Sequence, residues 1–229
     1  MSEFLIKDKY DICDLEKIVH LLRDPISGCP WDKVQTHESV KHNFLEEVYE
    51  VCDAIELNNS NMLREELGDV LLQVMFHCQM EKEKEVFNFN DICDTVCKKL
   101  VYRHPHIFGN VSVKDEKEVL QNWETLKNKE KDIKSKVENM RAVPLNMPAL
   151  MRTKKVLKRS EMKKDSIKND EFINDLQNIM EKYNGKEIKS NNFIATMLFT
   201  LSKMAYNLDI DANDELNKEC TKFINDTIE

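Results

Sequence analysis

Glycine and proline are scarce in this sequence, since the 229 residues include 4 Gly and 5 Pro. Many-stranded sandwiches and barrels need far more turn residues, so the composition excludes these all-β folds. No apolar run approaches the roughly 18 to 20 residues that span a bilayer, and the first residues are too charged for a signal peptide. We therefore expect a soluble, cytoplasmic protein with no membrane partner.

Cysteine patterns that build disulfide frameworks or zinc sites are also missing. The chain has 7 Cys, an odd number, and no Cys-x-x-Cys pair. Structural zinc needs four nitrogen or sulfur ligands, and no nearby His and Cys residues complete such a set. Cysteine chemistry therefore gives no indication of function.

Basic residues are too few in the first part of the chain to balance its acidic residues. Residues 1–144 carry 28 acidic and 20 basic residues, and residues 145–229 carry 14 of each, so the net charge of −8 lies wholly in the first part. An acidic surface argues against nucleic acid as a partner. It is compatible with a small anionic ligand if a divalent cation lies between ligand and protein.

Amphipathic helical sequence makes up most of what is present. Hydrophobic residues are 41% and charged residues 33% of the chain, a mixture typical of helices with one apolar face. The pattern predicts an all-α fold, an antiparallel helical bundle. The predicted helices cover residues 11–24, 37–57, 61–84, 90–102, 115–131, 148–164, 169–184, 190–207 and 211–228.

Two connections define the predicted organisation. The link Asn58–Asn61 is short, so it makes the second and third helices antiparallel neighbours, and Ser60 is the expected N-cap. The stretch 142–148 contains two prolines and predicts a boundary between a first module at 1–141 and a second helical module at 142–229.

Three carboxylates share one side of the second predicted helix. At roughly 100° of rotation per residue, Glu46, Glu47 and Glu50 fall within an arc of about 100°, with the apolar residues opposite. Taken alone, this pattern is that of an ordinary exposed acidic face.

The third predicted helix is apolar on most sides and carries one polar strip. Glu66, Asp69, Gln73 and His77 lie within about 80° of one another at that rotation. A helix that is apolar on most sides is largely buried, and buried carboxylates are costly unless a cation pairs with them. We interpret His77 as a polar neighbour of the strip rather than as a ligand.

The short link allows the two sets of carboxylates to face each other. Four or five of them then converge between antiparallel helices, and a divalent metal ion would offset their repulsion. Ligands that are all oxygen favour Mg²⁺, with Mn²⁺ as a substitute, over zinc. A di-iron site would need Glu-x-x-His on two helices, and neither Glu50 nor Glu66 has His three residues later.

Several blocks of the sequence resemble the MazG-like nucleoside triphosphate pyrophosphohydrolases. The acids Glu47-x-x-Glu50 and Glu66-x-x-Asp69 match the ExxE…ExxD signature of that family. The similarity covers about residues 15–131, and its further blocks are GCPWDKVQTH (28–37), REELGDVLLQVMFH (64–77), RHPHIFG (103–109) and NWE-x-x-K (122–127).

The resemblance implies an all-α protein that forms a homodimer and hydrolyses nucleoside triphosphates, ribo or deoxy, to the monophosphate and pyrophosphate with Mg²⁺. It implies that Glu47, Glu50, Glu66 and Asp69 bind the metal ion and that Glu46 completes the catalytic set by orienting water.

Substrate contacts are expected in the same blocks or beside them. Lys99, Arg103 and Lys127 are the cations expected to stabilise the leaving pyrophosphate, although each also fits an ordinary surface cation. Trp31 lies in a loop, where it is expected either to stack on a nucleobase or to fill the core.

In the tail, Leu145–Arg159 resembles the opening of the second module of two-module MazG proteins, and Ala205–Phe223 resembles its last helices, but the acids of that module are missing. Where the two acid pairs would fall, the chain has Asn174–Asn178 and Phe193–Thr196. The second module is therefore expected to be a degenerate copy that packs, dimerises or regulates. Two alternatives to an enzyme stay open: a non-catalytic nucleotide- or metal-binding regulatory helical protein, and an interaction bundle with a hydrated acidic face.

Overall fold

The computed structural model describes residues 6–165, 167–183 and 191–228. This part of the chain contains eleven α-helices, a 3-10 turn and no strand, so the predicted all-α class is confirmed. The helices are α1 (Ile12–Leu22), α2 (Lys41–Glu56), α3 (Ser60–Glu83), α4 (Phe89–Arg103), α5 (Pro105–Phe108), α6 (Glu116–Glu130), α7 (Lys136–Arg141), α8 (Ala149–Arg159), α9 (Asn169–Tyr183), α10 (Asn191–Asn207) and α11 (Ala212–Ile228).

The helices group into two compact units, Met1–Ser112 and Val113–Glu229. The first unit contains α1 to α5, and the second contains α6 to α11. The division into sequence modules at 1–141 and 142–229 stays a prediction. Among the described residues, no helix combines the length and the apolar character needed to cross a membrane.

The link between α2 and α3 is a tight reversal. Asn58 has a left-handed φ of 50°, and the N–H groups of Asn58 and Asn59 close α2 with backbone hydrogen bonds of 3.0 Å. The side chain of Asn59 then accepts two hydrogen bonds from the first turn of α3. Ser60, the expected N-cap, is instead the first helical residue, because the reversal at Asn58 leaves Asn59 extended at the cap position.

The helix α2 begins at Lys41, four residues later than predicted. The preceding residues form a turn in which the Thr36 N–H donates to Ser39 Oγ at 2.9 Å and the Ser39 N–H donates to Thr36 Oγ1 at 3.3 Å. Hydroxyl groups that bond to nearby backbone in this way compete with helical hydrogen bonds, so the helix starts after them.

In the first unit, α3 packs against α1 and α2. The core consists of five side chains, Val19, Val40, Met75, Phe76 and Met80. The second half of α3 is mostly buried, as its apolar surface predicts, whereas the first half is more exposed. The carboxylates of α3 belong to that more accessible half.

In the second unit, α10 packs against α8, α9 and α11. Phe172 of α9 is fully buried there. The buried amide of Asn207 accepts from the Ile167 N–H at 3.1 Å and donates to the Ile167 carbonyl at 2.9 Å. A buried amide that satisfies both backbone groups in this way secures the segment before α9.

Candidate active site

Three of the predicted metal ligands converge between α2 and α3. Glu47, Glu66 and Asp69 each offer a carboxylate oxygen, and these oxygens all lie within 4.8 Å of one another. The three side chains are half-buried. Oxygens on opposite sides of one Mg²⁺ lie about 4.2 Å apart, twice the usual bond of about 2.1 Å, so the cluster is near the spacing of ligands on a single ion.

Glu50 lies close enough to this cluster for its charge to act on both Glu47 and Glu66. Burial and the charge of Asp69 raise the pKa of Glu47 above its ordinary value. Burial and the charge of Glu50 likewise raise the pKa of Glu66. Both shifts combine burial with the repulsion of neighbouring carboxylates, and a divalent cation would relieve that repulsion.

Glu46 is exposed on α2 and is not one of the three converging acids. No other group of three acids, histidines or cysteines lies as close together within residues 6–165, 167–183 and 191–228. The second unit has Asn174 and Asn178 on α9 and Thr196 on α10, which cannot hold Mg²⁺ as carboxylates do.

The predicted substrate contacts of the first unit lie in three different environments. Trp31 precedes the 3-10 turn in the loop between α1 and α2, and it is 57% exposed, so it does not fill the core. Lys99 is half-buried on α4. Arg103 is buried at the end of α4. Their roles in substrate binding stay predictions.

Lys127 lies on α6, which belongs to the second unit. Its ammonium group bonds to both carboxylate oxygens of Glu124 at 3.0 Å and lies 4.8 Å from the centre of the Trp123 ring. Lys127 is thus occupied within its own helix, and its predicted contact with substrate stays a prediction.

Further along α3, His77 bonds to His37, a contact that was not predicted from the sequence. His37 Nδ1 lies 2.6 Å from His77 Nδ1, and a 2.6 Å hydrogen bond joins His37 Nε2 to Glu81. The two rings are parallel, and the ring of His77 also contacts Phe44 of α2. His77 is therefore hydrogen-bonded, which agrees with its interpretation as a polar neighbour of the strip. The sequence feature that could have indicated its partner is the QTH block, because His37 is the last residue of that block.

A second unpredicted contact ties the start of the loop to α3. The Arg23 guanidinium donates from Nε and Nη2 to the two Glu83 oxygens, each at 2.8 Å. Burial alone would raise the pKa of Glu83, but the hydrogen bonds from Arg23 and Gln79 outweigh it and lower that pKa. No local pattern pairs residues that are 60 positions apart.

Comparisons with known proteins identify the family of this chain. The family model of the MazG nucleotide pyrophosphohydrolase domain matches residues 35–108. The nucleoside triphosphate pyrophosphohydrolase/pyrophosphatase MazG of Thermotoga maritima is 34% identical over 216 residues, which are 92% of this chain and 82% of that protein. The chain belongs to the MazG nucleotide pyrophosphohydrolase family.

Other relatives in the MazG family match over a shorter stretch. The nucleoside triphosphate pyrophosphohydrolase of Escherichia coli K12 is 46% identical over 142 residues, 62% of this chain and 54% of that protein. A protein of the same name from Mycolicibacterium smegmatis is 40% identical over 132 residues, 57% of this chain and 40% of that protein. The aligned part thus spans about half the length of these relatives or less.

The range matched by the MazG family model includes all the predicted acids but only some of the predicted substrate contacts. All five acids lie inside residues 35–108, together with Lys99 and Arg103. Trp31 and Lys127 lie outside that range. The carboxylate cluster therefore lies within the part of the chain that the family model matches.

Proposed function

We propose that this chain hydrolyses nucleoside triphosphates, ribo or deoxy, to the nucleoside monophosphate and pyrophosphate. The observation that carries the proposal is the convergence of Glu47, Glu66 and Asp69 within 4.8 Å in a chain of the MazG family. We propose that these three acids and Glu50 hold Mg²⁺, for which Mn²⁺ substitutes, because hard divalent cations prefer carboxylate oxygens.

The chemistry follows from the charges of the cluster. A divalent ion held there would neutralise triphosphate oxygens and lower the pKa of bound water. The water oxygen attacks the α-phosphorus, the bond to the bridging α,β oxygen breaks, and pyrophosphate leaves with the electron pair. Glu46 is exposed on α2, the helix that also carries Glu47, and in this proposal it orients the attacking water and accepts its proton.

Two other contacts complete the proposed binding mode. Lys99 and Arg103 lie on α4 of the same unit as the acids, and their positive charges suit the departing pyrophosphate. The exposed ring of Trp31 offers an aromatic face for the nucleobase.

The direct test is a screen of NTPs and dNTPs with Mg²⁺, with separate assays for pyrophosphate and orthophosphate. We expect pyrophosphate and the monophosphate in equal amounts and no orthophosphate. Glu47→Gln and Asp69→Asn should each lower kcat/KM by about 100-fold or more, because losing one ligand of the cluster removes a few kcal/mol of transition-state stabilisation.

The matched control for these variants is Glu56→Gln, which removes an exposed carboxylate from the same helix α2. It should retain wild-type turnover. Orthophosphate as the product, or full turnover in Asp69→Asn, would contradict the proposed reaction or its site. Calorimetry that detects nucleotide binding without any product would favour the regulatory alternative instead.

We also propose that the protein acts as a homodimer in the cytoplasm. Large apolar side chains are exposed on α2 and α4 of the first unit, including Val48 and Ile55 of α2 and Leu100 and Val101 of α4, and a second copy would cover them. All seven cysteines are free thiols, which suits a reducing compartment. Light scattering coupled to size-exclusion chromatography tests the dimer, and a monomeric mass at micromolar concentration would exclude it.

A further inference from the structure

One buried guanidinium organises the loop that carries Trp31. Arg23 ends α1 and is 7% exposed. Besides its two bonds to Glu83, its Nη1 donates to the carbonyl of Asp32 at 2.8 Å and to the carbonyl of Gln35 at 3.1 Å. A single planar group therefore links the end of α1, the loop and the last turn of α3.

The network continues from Arg23 to the backbone of Trp31. Gln35 Nε2 donates to the carbonyl of Trp31 at 2.9 Å, and Ser39 Oγ donates to Gln35 Oε1 at 2.7 Å. Arg23 thus holds the backbone of Gln35, and the side chain of Gln35 holds the backbone of Trp31. The ring of Trp31 remains more than half exposed although its backbone is secured.

The loop approaches the same face of α3 that bears the acids. Its end at His37 is joined to His77, and His77 lies eleven residues after Glu66, about three helical turns further along the same side. His77 is about 12 Å along the helix from Asp69, since each residue rises about 1.5 Å. A nucleotide whose phosphates lie on the carboxylates can therefore extend towards this loop.

We propose that Arg23 is a positioning residue for nucleotide binding, which fixes the loop so that the exposed ring of Trp31 is held ready for the nucleoside. This inference rests on the proposed function. A loop that is ordered before the ligand arrives loses less conformational freedom on binding, so the network acts on affinity rather than on the chemical step. The hydrogen bonds of Arg23 go to Glu83 and to the carbonyls of Asp32 and Gln35, so its proposed effect on the nucleotide is indirect.

The kinetic test uses Arg23→Lys, which keeps the charge but cannot supply four hydrogen bonds in a plane. We expect KM for the preferred triphosphate to rise about tenfold while kcat stays within about twofold. Gln35→Leu removes the hydrogen bond to the Trp31 carbonyl and leaves the side chain of Arg23 paired with Glu83. It should likewise raise KM with little change in kcat.

The matched control is Lys82→Gln. It breaks a 2.7 Å ion pair between Lys82 of α3 and Glu16 of α1, the same two helices that Arg23 joins, without touching the loop. Both KM and kcat should keep their wild-type values. Circular dichroism melts of all variants establish that the compared proteins are folded at the assay temperature.

A spectroscopic signature separates positioning from general stability. In a Trp123→Phe background, Trp31 is the sole tryptophan, so its emission anisotropy reports the loop directly. Compared with the Trp123→Phe parent, Arg23→Lys should lower the emission anisotropy of Trp31 in the absence of nucleotide. It should also raise the nucleotide concentration needed for half-maximal quenching of Trp31 about tenfold.

Two failures are distinguishable. If the parent protein releases no pyrophosphate and nucleotide does not quench Trp31, the proposed function fails and the positioning role fails with it. If the parent is active but Arg23→Lys and Gln35→Leu keep its KM and its Trp31 anisotropy, or lose kcat alone, the positioning role is overturned while the proposed function stands.

Discussion

The imidazole rings of His37 and His77 lie parallel with their Nδ1 atoms 2.6 Å apart. At this distance one of the two nitrogens donates a hydrogen bond to the other. Burial and the proximity of His37 lower the pKa of His77 below its ordinary value of 6.5. The neutral form of His77 is therefore the one that the folded protein favours.

This pair predicts a loss of stability on mild acidification. Since the pKa of His77 is lowered in the folded state, the unfolded chain binds more protons as the pH falls through 6.5, and the free energy of unfolding decreases there. His77→Gln should flatten that dependence between about pH 7 and pH 5.5. Urea unfolding of both proteins at several pH values, with Mg²⁺ present throughout, measures the difference, and parallel curves would contradict the prediction.

The carboxylate cluster predicts the opposite dependence in metal-free protein. Because the pKa of Glu47 is raised in the folded state, its unfavourable charge is fully present at neutral pH and is relieved as the pH falls through the raised pKa. Without metal, Glu47→Gln should therefore melt at a higher temperature than the wild type at neutral pH, and the gap should narrow on acidification.

Addition of metal should reverse that order. Mg²⁺ at about one hundred times its Kd should stabilise the wild type by about 2.7 kcal/mol, because it binds the folded state, and Glu47→Gln should gain less. Thermal melts with chelator, Mg²⁺ and Mn²⁺ measure this, with Glu56→Gln as the control that keeps the full gain. An equal metal response in all three proteins would place the ion elsewhere.

Two glycines of the first unit predict contrasting effects of alanine. A Cβ atom at Gly28 would lie 2.4 Å from the Asp24 carbonyl oxygen and 2.6 Å from that of Leu22. Both are backbone atoms, which cannot relieve the clash by a change of rotamer as a side chain can. Gly28→Ala should cost about 1–3 kcal/mol through overpacking. A Cβ atom at Gly68 in α3 meets nothing within 4 Å, so Gly68→Ala should stabilise the protein by about 0.5–1 kcal/mol through higher helix propensity.

Chemical denaturation of both variants checks this contrast. The proposed role of the loop adds an expectation for Gly28→Ala, a rise in KM, because Gly28 lies in the segment that Arg23 secures. Equal stability of the two variants would show that the loop backbone adapts freely, which would also weaken the positioning role of Arg23.

The sequence by itself determined the nine longer helices of the described residues and the acid faces, because both depend on local periodicity, whereas the short helices α5 and α7 were not predicted. The scarcity of Gly and Pro, the apolar repeats and the spacing of Glu47, Glu50, Glu66 and Asp69 are all readable within a few turns of chain. The start of α2 at Lys41 and the cap at Asn59 differed from expectation, since short side-chain hydrogen bonds shift helix ends without changing the pattern.

Tertiary structure alone decided which distant side chains meet. Arg23 with Glu83 and His37 with His77 are separated by 60 and 40 positions, and no period in the sequence pairs them. Their contacts depend on how α1 and the loop pack against α3, which is set by burial of Val19, Val40 and Met75 in a common core. Apolar packing is non-directional, so the apolar pattern of the sequence does not show which polar side chains will face each other. The pairing of these polar groups is therefore visible only in the assembled fold.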